Sequence, residues 1–390
     1  MQKKLIAVAV AGVLGAPAVA LAQNATVNIY GRMYMELAQV DQGNSRTSST
    51  SPLVDGQILQ TPGSAIGFRG EEKLGGGMSA WFQCETTADY RGFEQDALCG
   101  RNSALGLRGG FGNIFIGVWD TPFKRVTDPV GSQETGVFGT AWVLFGSSGT
   151  TTGANVNQGV FKRRQGGSIN YDTPVFGGFQ VSLATTVLNS QTSVLNSATG
   201  SKPRVYSISA RYNARGLNVY GAYEKHKDIT GAAGAGDDTG YALGASYTFA
   251  GNIKVGGLYS RQKWQLQDGS AMTEGRVNVW SFGVDAKISG PHGIRANYSS
   301  AGDVKGNTVA GLGTAGATRP AAINSGVKGN TGAAVYSIRY VHALSKRTEF
   351  VAGYSKVKND TNARYPLGGL NNNATGNDPS AFAIALDHRF

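Results

Sequence analysis

The chain has 390 residues, of which 57 are Gly, 16 Tyr and 16 Phe; only 16% are charged, and the formal net charge is +11. Past the first 22 residues no apolar run approaches the ~18 residues of a transmembrane helix, which excludes a helical membrane protein. The basic residues are scattered, with only "FKRRQ" at 161–165 locally dense, so the stripe expected of a nucleic-acid-binding surface is missing.

The first 22 residues, "MQKKLIAVAVAGVLGAPAVALA", combine two lysines, an apolar stretch broken by Gly12, Gly15 and Pro17, and small residues ending in Ala20-Leu21-Ala22. That is the anatomy of a secretory leader, with cleavage expected after Ala22. Residues 23–390 then form the exported domain. Lys3 and Lys4 leave with the leader, taking 36 basic residues to 34 against 25 acidic ones, a net of +9. Small anionic solutes suit that balance.

The segment "TVNIYGRMYMEL" at 26–37 places Val27, Ile29, Met33, Met35 and Leu37 on one face and Asn28, Arg32, Tyr34 and Glu36 on the other, because strand side chains alternate with period two. Comparable segments follow at 57–70, 77–87, 101–109, 112–119, 162–173, 178–188, 203–213, 216–227, 239–249, 252–264, 276–288, 293–300, 332–344, 347–357 and 380–390. The count is sixteen. Tight connections at 74–77, 109–112, 174–178, 213–216, 249–252, 289–293 and around Ser345 alternate with long ones rich in Gly, Ser, Thr and Asn. The pattern predicts a 16-stranded antiparallel transmembrane β-barrel with short periplasmic turns and long extracellular loops, set in the outer membrane of a Gram-negative cell. A barrel of that size leaves an aqueous channel. The last strand, "AFAIALDHRF", alternates to the end of the sequence. It is expected to pair with the strand beginning near Asn24, with Asp387 and Arg389 facing the lumen and Phe390 in an interfacial aromatic girdle.

Cys84 and Cys99 lie fifteen apart in an exported chain. A disulfide closing a hairpin loop would contribute about 3 kcal/mol in the chain-entropy model; two free thiols are the alternative. The four histidines, His226, His292, His342 and His388, are far apart in sequence and show no metal-ligand spacing. Asp387 and His388 point to opposite faces of one strand and cannot form a dyad. Gly311-Leu312-Gly313-Thr314-Ala315-Gly316 fits G-x-G-x-x-G, but Pro320 follows closely within a Gly/Ala/Thr-rich stretch, without the helix a dinucleotide site needs. No catalytic, cofactor or metal site is expected.

The strings "AIGFRGEEKLGGGMSAWFQCE" at 65–85, "RNSALGLRGGFGNIFIG" at 101–117, "SINYDTPVFGGF" at 168–179 and the terminal "ALDHRF" resemble the general trimeric porins of β-proteobacteria and Neisseria. The resemblance covers essentially all of residues 23–390. It implies a homotrimer embedded in outer-membrane lipid and lipopolysaccharide that passively admits small hydrophilic solutes and ions, and a terminal Phe390 read by the outer-membrane assembly machinery. It also implies that the third long loop, here 121–161, folds into the lumen, with Asp128 and Glu134 as its acidic contributors. The facing basic wall would be Arg32, Arg69 and Arg164. Arg101 matches the family motif and is counted with the constriction; strict alternation sets it beside Leu105 and Leu107 on the outer face, so a place above the lipid or at a bulge is expected. Arginines common in the family are replaced by Ala65 and Val118, so either the constriction is less basic or Lys124, Arg125 and Arg163 substitute. Arg295 and Arg339 face inward by parity, far from the constriction. The expected function is a weakly anion-selective porin; a channel selective for one anionic solute is the alternative.

Overall fold

The computed structural model describes residues 26–43, 55–91, 98–126, 136–140, 161–187, 204–227, 237–268, 271–306, 329–368 and 375–390. The leader, Asp128 and Glu134 lie outside them. Sixteen antiparallel strands follow one another around a closed sheet. They are β1 (Thr26–Asp41), β2 (Gly56–Gln60 and Ala65–Gly75), β3 (Met78–Thr87), β4 (Ser103–Gly109), β5 (Gly112–Asp120), β6 (Arg164–Asp172), β7 (Phe179–Thr186) and β8 (Arg204–Ala214). The remainder are β9 (Leu217–Lys227), β10 (Asp238–Phe249), β11 (Ile253–Asp268), β12 (Ala271–Ser289), β13 (His292–Ala301, continued by Lys305–Gly306), β14 (Ala333–Ala343), β15 (Thr348–Asn359) and β16 (Ser380–Arg389).

The sheet closes where β1 meets β16, from Arg32 opposite Arg389 to Asp41 opposite Ser380. Gly31 and Phe390 complete the seam by exchanging backbone hydrogen bonds of 3.1 Å in both directions. Gly31 is required there: a Cβ would overlap the Phe390 ring. On β16, Phe382, Ile384 and Leu386 are 56%, 41% and 47% exposed, whereas Ala381, Ala383, Ala385 and Asp387 are buried. The apolar face thus points outward, as a strand crossing hydrocarbon demands.

The tight turns are built on left-handed residues. Arg215-Gly216 and Ala250-Gly251 both have positive φ at each central position, the backbone twist that joins antiparallel strands through two residues. The strands differ from the sequence expectation in two places. The segment at 57–70 is interrupted: Glu36 opposes Gln60 and Arg32 opposes Ala65, so four residues, 61–64, face three. The extra residue inverts parity, which is why Gln60 and Ala65 both turn inward. Ser64 mends the gap, its hydroxyl accepting the Tyr34 N–H and donating to the Tyr34 C=O, both at 2.9 Å. In addition, β11 and β12 pair continuously to Asp268 opposite Ala271, forming a long hairpin where a long loop was expected.

Ser64→Ala should leave a buried N–H and C=O without partners, a loss of about 1–3 kcal/mol. A lowered unfolding midpoint of the refolded barrel in denaturant, with Ser64→Thr close to the parent, is the expected outcome.

Candidate pore constriction

The connection from β5 to β6 enters the barrel. It begins with a single helical turn, α1 (Pro122–Arg125), whose N-cap Thr121 accepts the Lys124 N–H at 3.3 Å and whose first position is proline, a residue with no N–H to leave orphaned. The Thr121 N–H donates to the Arg163 C=O at 3.2 Å, tying the two stems of the loop together. Phe123 is buried, and its N–H donates to Ser207 Oγ on β8 at 3.0 Å. Its ring lies 5.7 Å from Phe161, which stacks 4.5 Å from His226 of β9 and sits 6.1 Å from Trp264 of β11. His226 in turn contacts Glu224 at 2.8 Å.

A second part of the loop, Gly136–Thr140, reaches a different region of wall. The Val137 N–H donates to Glu36 Oε1 on β1 at 3.0 Å. Glu36 is buried and also accepts from Tyr34 Oη and Gln60 Nε2. Gly136 has φ +76°, and a Cβ there would stand 2.7 Å from both Glu36 oxygens. Phe138 is buried under the Arg339 guanidinium, 5.4 Å from its ring centre, and its C=O accepts from Ser337 Oγ at 3.4 Å. Ser299 Oγ donates to Thr140 Oγ1 at 3.2 Å. The loop therefore touches β8, β9 and β11 at one end of its path and β1, β13 and β14 at the other. Three of its described main-chain groups, the Phe123 N–H, the Val137 N–H and the Phe138 C=O, are met by wall side chains, as polar backbone in a confined space demands.

The connection after β15 joins this layer. Ala363, Tyr365 and Leu367 are buried. Asn359 holds the turn, its Nδ2 donating to the Tyr365 C=O at 3.0 Å and its Oδ1 accepting the Tyr365 N–H at 2.8 Å. Gly368 passes so near Gly136 that a side chain would overlap the Gly136 carbonyl. Sequence reading missed this element. Its signal was one aromatic and two leucines, Tyr365, Leu367 and Leu370, in a largely polar connection.

Charges line the inner wall as linked pairs. Arg32 bonds Asp387 through two nitrogens at 2.8 and 3.1 Å, and Arg389 reaches the same carboxylate at 3.2 Å. Arg69 lies over the Tyr30 ring at 4.9 Å, and Tyr30 Oη donates to Glu85 at 3.1 Å. Arg101 bonds Glu85 at 2.7 Å. Arg164 sits 3.3 Å from Asp120 and donates to Asn102 Oδ1 at 2.8 Å, while Lys124 bonds Asp120 at 2.7 Å. Arg125 pairs with Asp172 at 2.9 Å. Burial pulls the Lys124 ammonium below the usual lysine pKa, against the opposing pull of Asp120. Among the described residues of this belt seven cations, Arg32, Arg69, Arg101, Lys124, Arg125, Arg164 and Arg389, meet four carboxylates.

Arg69 and Arg101 thus share the Tyr30–Glu85 group, Arg164 adjoins them through Asn102, and Arg32 stands at the barrel seam. Arg101 turns inward because β4 starts only at Ser103, leaving Arg101 in the irregular approach, where alternation does not apply. Arg339 is not remote from the constriction but lies over the Phe138 ring, whereas Arg295 pairs with Asp285 and Glu349 toward the turn end of β13. Val118 stands on the strand face of Ile114 and Ile116. The acids that sequence reading did not assign, Glu85, Asp120 and Asp172, belong to the wall and its strand ends. Cys84 and Cys99 are joined by a disulfide that fastens the approach to β4 onto β3. Among the described residues no three His, Cys, Asp or Glu side chains converge as a metal site.

Gly136→Val should strain the backbone and push the loop off Glu36. The expected result is a larger and noisier single-channel conductance with little change in barrel unfolding; unchanged conductance would count against this anchor.

A family model described as Gram-negative porin matches residues 7–362. Major outer membrane protein P.IB of Neisseria gonorrhoeae is 32% identical over 184 residues, so the chain matches about half of that relative (47% of each). Outer membrane porin protein 32 of Delftia acidovorans is 27% identical over 92% of this chain and 90% of that one. The solved structure of an anion-selective porin from Comamonas acidovorans superposes with a TM-score of 0.70 at 21% identity, covering 94% of this chain and all of the other. The chain belongs to the Gram-negative porin family and is an outer-membrane β-barrel.

Proposed function

We propose that the chain, exported by a cleaved leader at 1–22, forms an aqueous channel for passive diffusion of small hydrophilic solutes and ions, with a weak preference for anions. The observation that carries this reading is the belt of seven cations against four carboxylates among the described residues, beside a loop crossing the lumen; Asp128 and Glu134 would still leave one cation in excess. Fixed charge in a narrow pore lowers the barrier for counter-ions and raises it for co-ions. Asp128 and Glu134 are the loop carboxylates assigned to face Arg32, Arg69, Arg101 and Arg164 across the opening. Three copies form the assembly, lipid and lipopolysaccharide surround it, and the assembly machinery reads Phe390. No catalytic role is assigned.

A channel selective for one anionic solute is the second reading. It is favoured by Trp81, Phe115 and Trp119, whose ring centres lie 5.0–5.8 Å apart on the inner wall with Arg108 over Trp81 at 5.2 Å. Conductance that saturates with an aromatic carboxylate, and not with chloride, would select it.

Planar-bilayer recording in a KCl gradient tests the first reading. The reversal potential should favour chloride and move toward the cation side in the triple variant Arg32→Gln, Arg69→Gln, Arg101→Gln. Cation preference in the parent protein would sink the proposal.

A further inference from the structure

The outward face of β8 to β12 changes character toward the long-loop end. Tyr206, Tyr223, Tyr241 and Trp280 are exposed there, and Tyr259 links two of them, its ring centre 6.0 Å from Tyr241 and 4.5 Å from Trp280. Such a row marks the edge of the hydrocarbon. On three strands the next outward residue beyond a tyrosine, toward the loops, is a cation: Arg204 beyond Tyr206 on β8, Lys225 beyond Tyr223 on β9 and Arg261 beyond Tyr259 on β11. A step of two residues carries the charge about 6–7 Å along the strand. Lys227 and Lys263 follow one outward position further on.

These cations are neighbours in the sheet. Arg204 stands directly opposite Lys227, Lys225 stands opposite Tyr206 and Thr239, and Thr239 stands opposite Lys263. Like charges directly opposite one another destabilise a sheet, and among the described residues no carboxylate pairs with Arg204, Lys227 or Arg261. Asp237 takes Lys225 at 2.6 Å, and Glu274 is shared between Lys263 at 2.7 Å and Arg276 at 3.7 Å. The positive charge of the patch is therefore largely uncompensated. Beneath it a cavity of about 370 Å³ opens on the same outer face, walled by Ile169, Leu183 and Ile208 under Tyr206 and Tyr223. Thr185, in register between Ile169 and Tyr206, puts a short side chain inside it.

We infer that this face binds a phosphate-bearing lipid of the outer leaflet, with its phosphates against Arg204, Lys225, Lys227, Arg261 and Lys263 and an acyl chain in the cavity below. The inference rests on the outer-membrane placement of the barrel, with its long loops outward, and not on what the pore conducts. An acidic soluble partner would use the charges alone. Here uncompensated charge and an apolar cavity lie on opposite sides of one aromatic boundary, which matches an amphiphile with an anionic head and a hydrocarbon tail. The arginine forks suit phosphate oxygens and the lysines add point charges. A phosphate between Arg204 and Lys227 also offsets their mutual repulsion, so the bound lipid stabilises the folded barrel by mass action.

The test uses the full barrel refolded in neutral detergent and titrated with the bisphosphorylated lipid anchor of lipopolysaccharide, read by the mass of the native complex and by the thermal unfolding midpoint. One lipid per chain and a raised midpoint are expected. Arg204→Gln and Lys227→Gln should each weaken binding about fivefold, and the two together about thirtyfold. Thr185→Trp, which fills the cavity and leaves the charges in place, should weaken binding as well, whereas Lys287→Gln at the turn end of β12 should change neither reading. Phosphatidylethanolamine and inorganic phosphate should not raise the midpoint. The inference is overturned if the parent binds no lipid anchor, if the double variant binds it like the parent, or if either control ligand acts as well as the phosphorylated lipid. A changed number of chains per assembly in the double variant would also overturn it, by making the face a contact between copies. Conductance and reversal potential of the double variant should match the parent, so the pore reading stands or falls separately.

Discussion

Every feature of this barrel descends from one constraint: in hydrocarbon a backbone N–H or C=O has no water to turn to, so each must be paired within the protein. A sheet meets that demand only by closing, and here the closure is the β1–β16 ladder completed by Gly31 and Phe390. Once closed, period-two alternation divides the side chains into an outer apolar set and an inner set. The same demand explains the small repair at Ser64. Where one extra residue breaks the ladder, a hydroxyl supplies the acceptor and donor that the missing strand pair would have provided.

The demand continues inside the lumen in a milder form. A loop that leaves the aqueous mouth and packs against the inner wall loses water from its own main chain. The wall meets it with side chains, Ser207 for the Phe123 N–H, Glu36 for the Val137 N–H and Ser337 for the Phe138 C=O. Apolar rings complete the attachment: Phe123, Phe138, Phe161, Trp264 and Tyr365 are buried on the inside of the barrel. The interior is therefore polar along the permeation path and locally apolar where loops are fastened. Removing aromatic area from water provides the fastening, and hydrogen bonds set where it occurs.

Much of the fold was legible because alternation and turn chemistry are local. Strand number, the tight turns and the lumen-facing side of Arg32, Arg69 and Asp387 follow from period two and from Gly-containing turns. Residues where local periodicity fails were misread. Ser64 conceals a bulge, since an extra residue has no distinctive composition. Arg101 was assigned to the constriction against strict alternation, and it escapes alternation because it precedes its strand. Arg339 was correctly turned inward, but its place over the Phe138 ring depends on how a distant loop folds. Glu85, Asp120 and Asp172 became partners of arginines only through registers between neighbouring strands, which alternation alone does not determine.

The division of labour between carboxylates sets the electrical character of the constriction. Glu36 is buried, and its oxygens are occupied by Val137 N–H, Tyr34 Oη and Gln60 Nε2, with the Arg339 charge nearby. It fastens the loop and presents little to a passing ion. Asp387, Glu85, Asp120 and Asp172 each hold an arginine or lysine in place, and a paired carboxylate partly screens its partner without removing the excess of cations. Arg69 is placed by the Tyr30 ring instead, and its charge is the least offset in the belt. Among the described residues, the positive character of the belt therefore arises from a surplus of cations held by aromatic and carboxylate neighbours. Rigid placement matters because a charge that could swing away with each passing ion would impose a variable barrier, whereas one fixed on a strand by its neighbours imposes the same field on every ion that crosses.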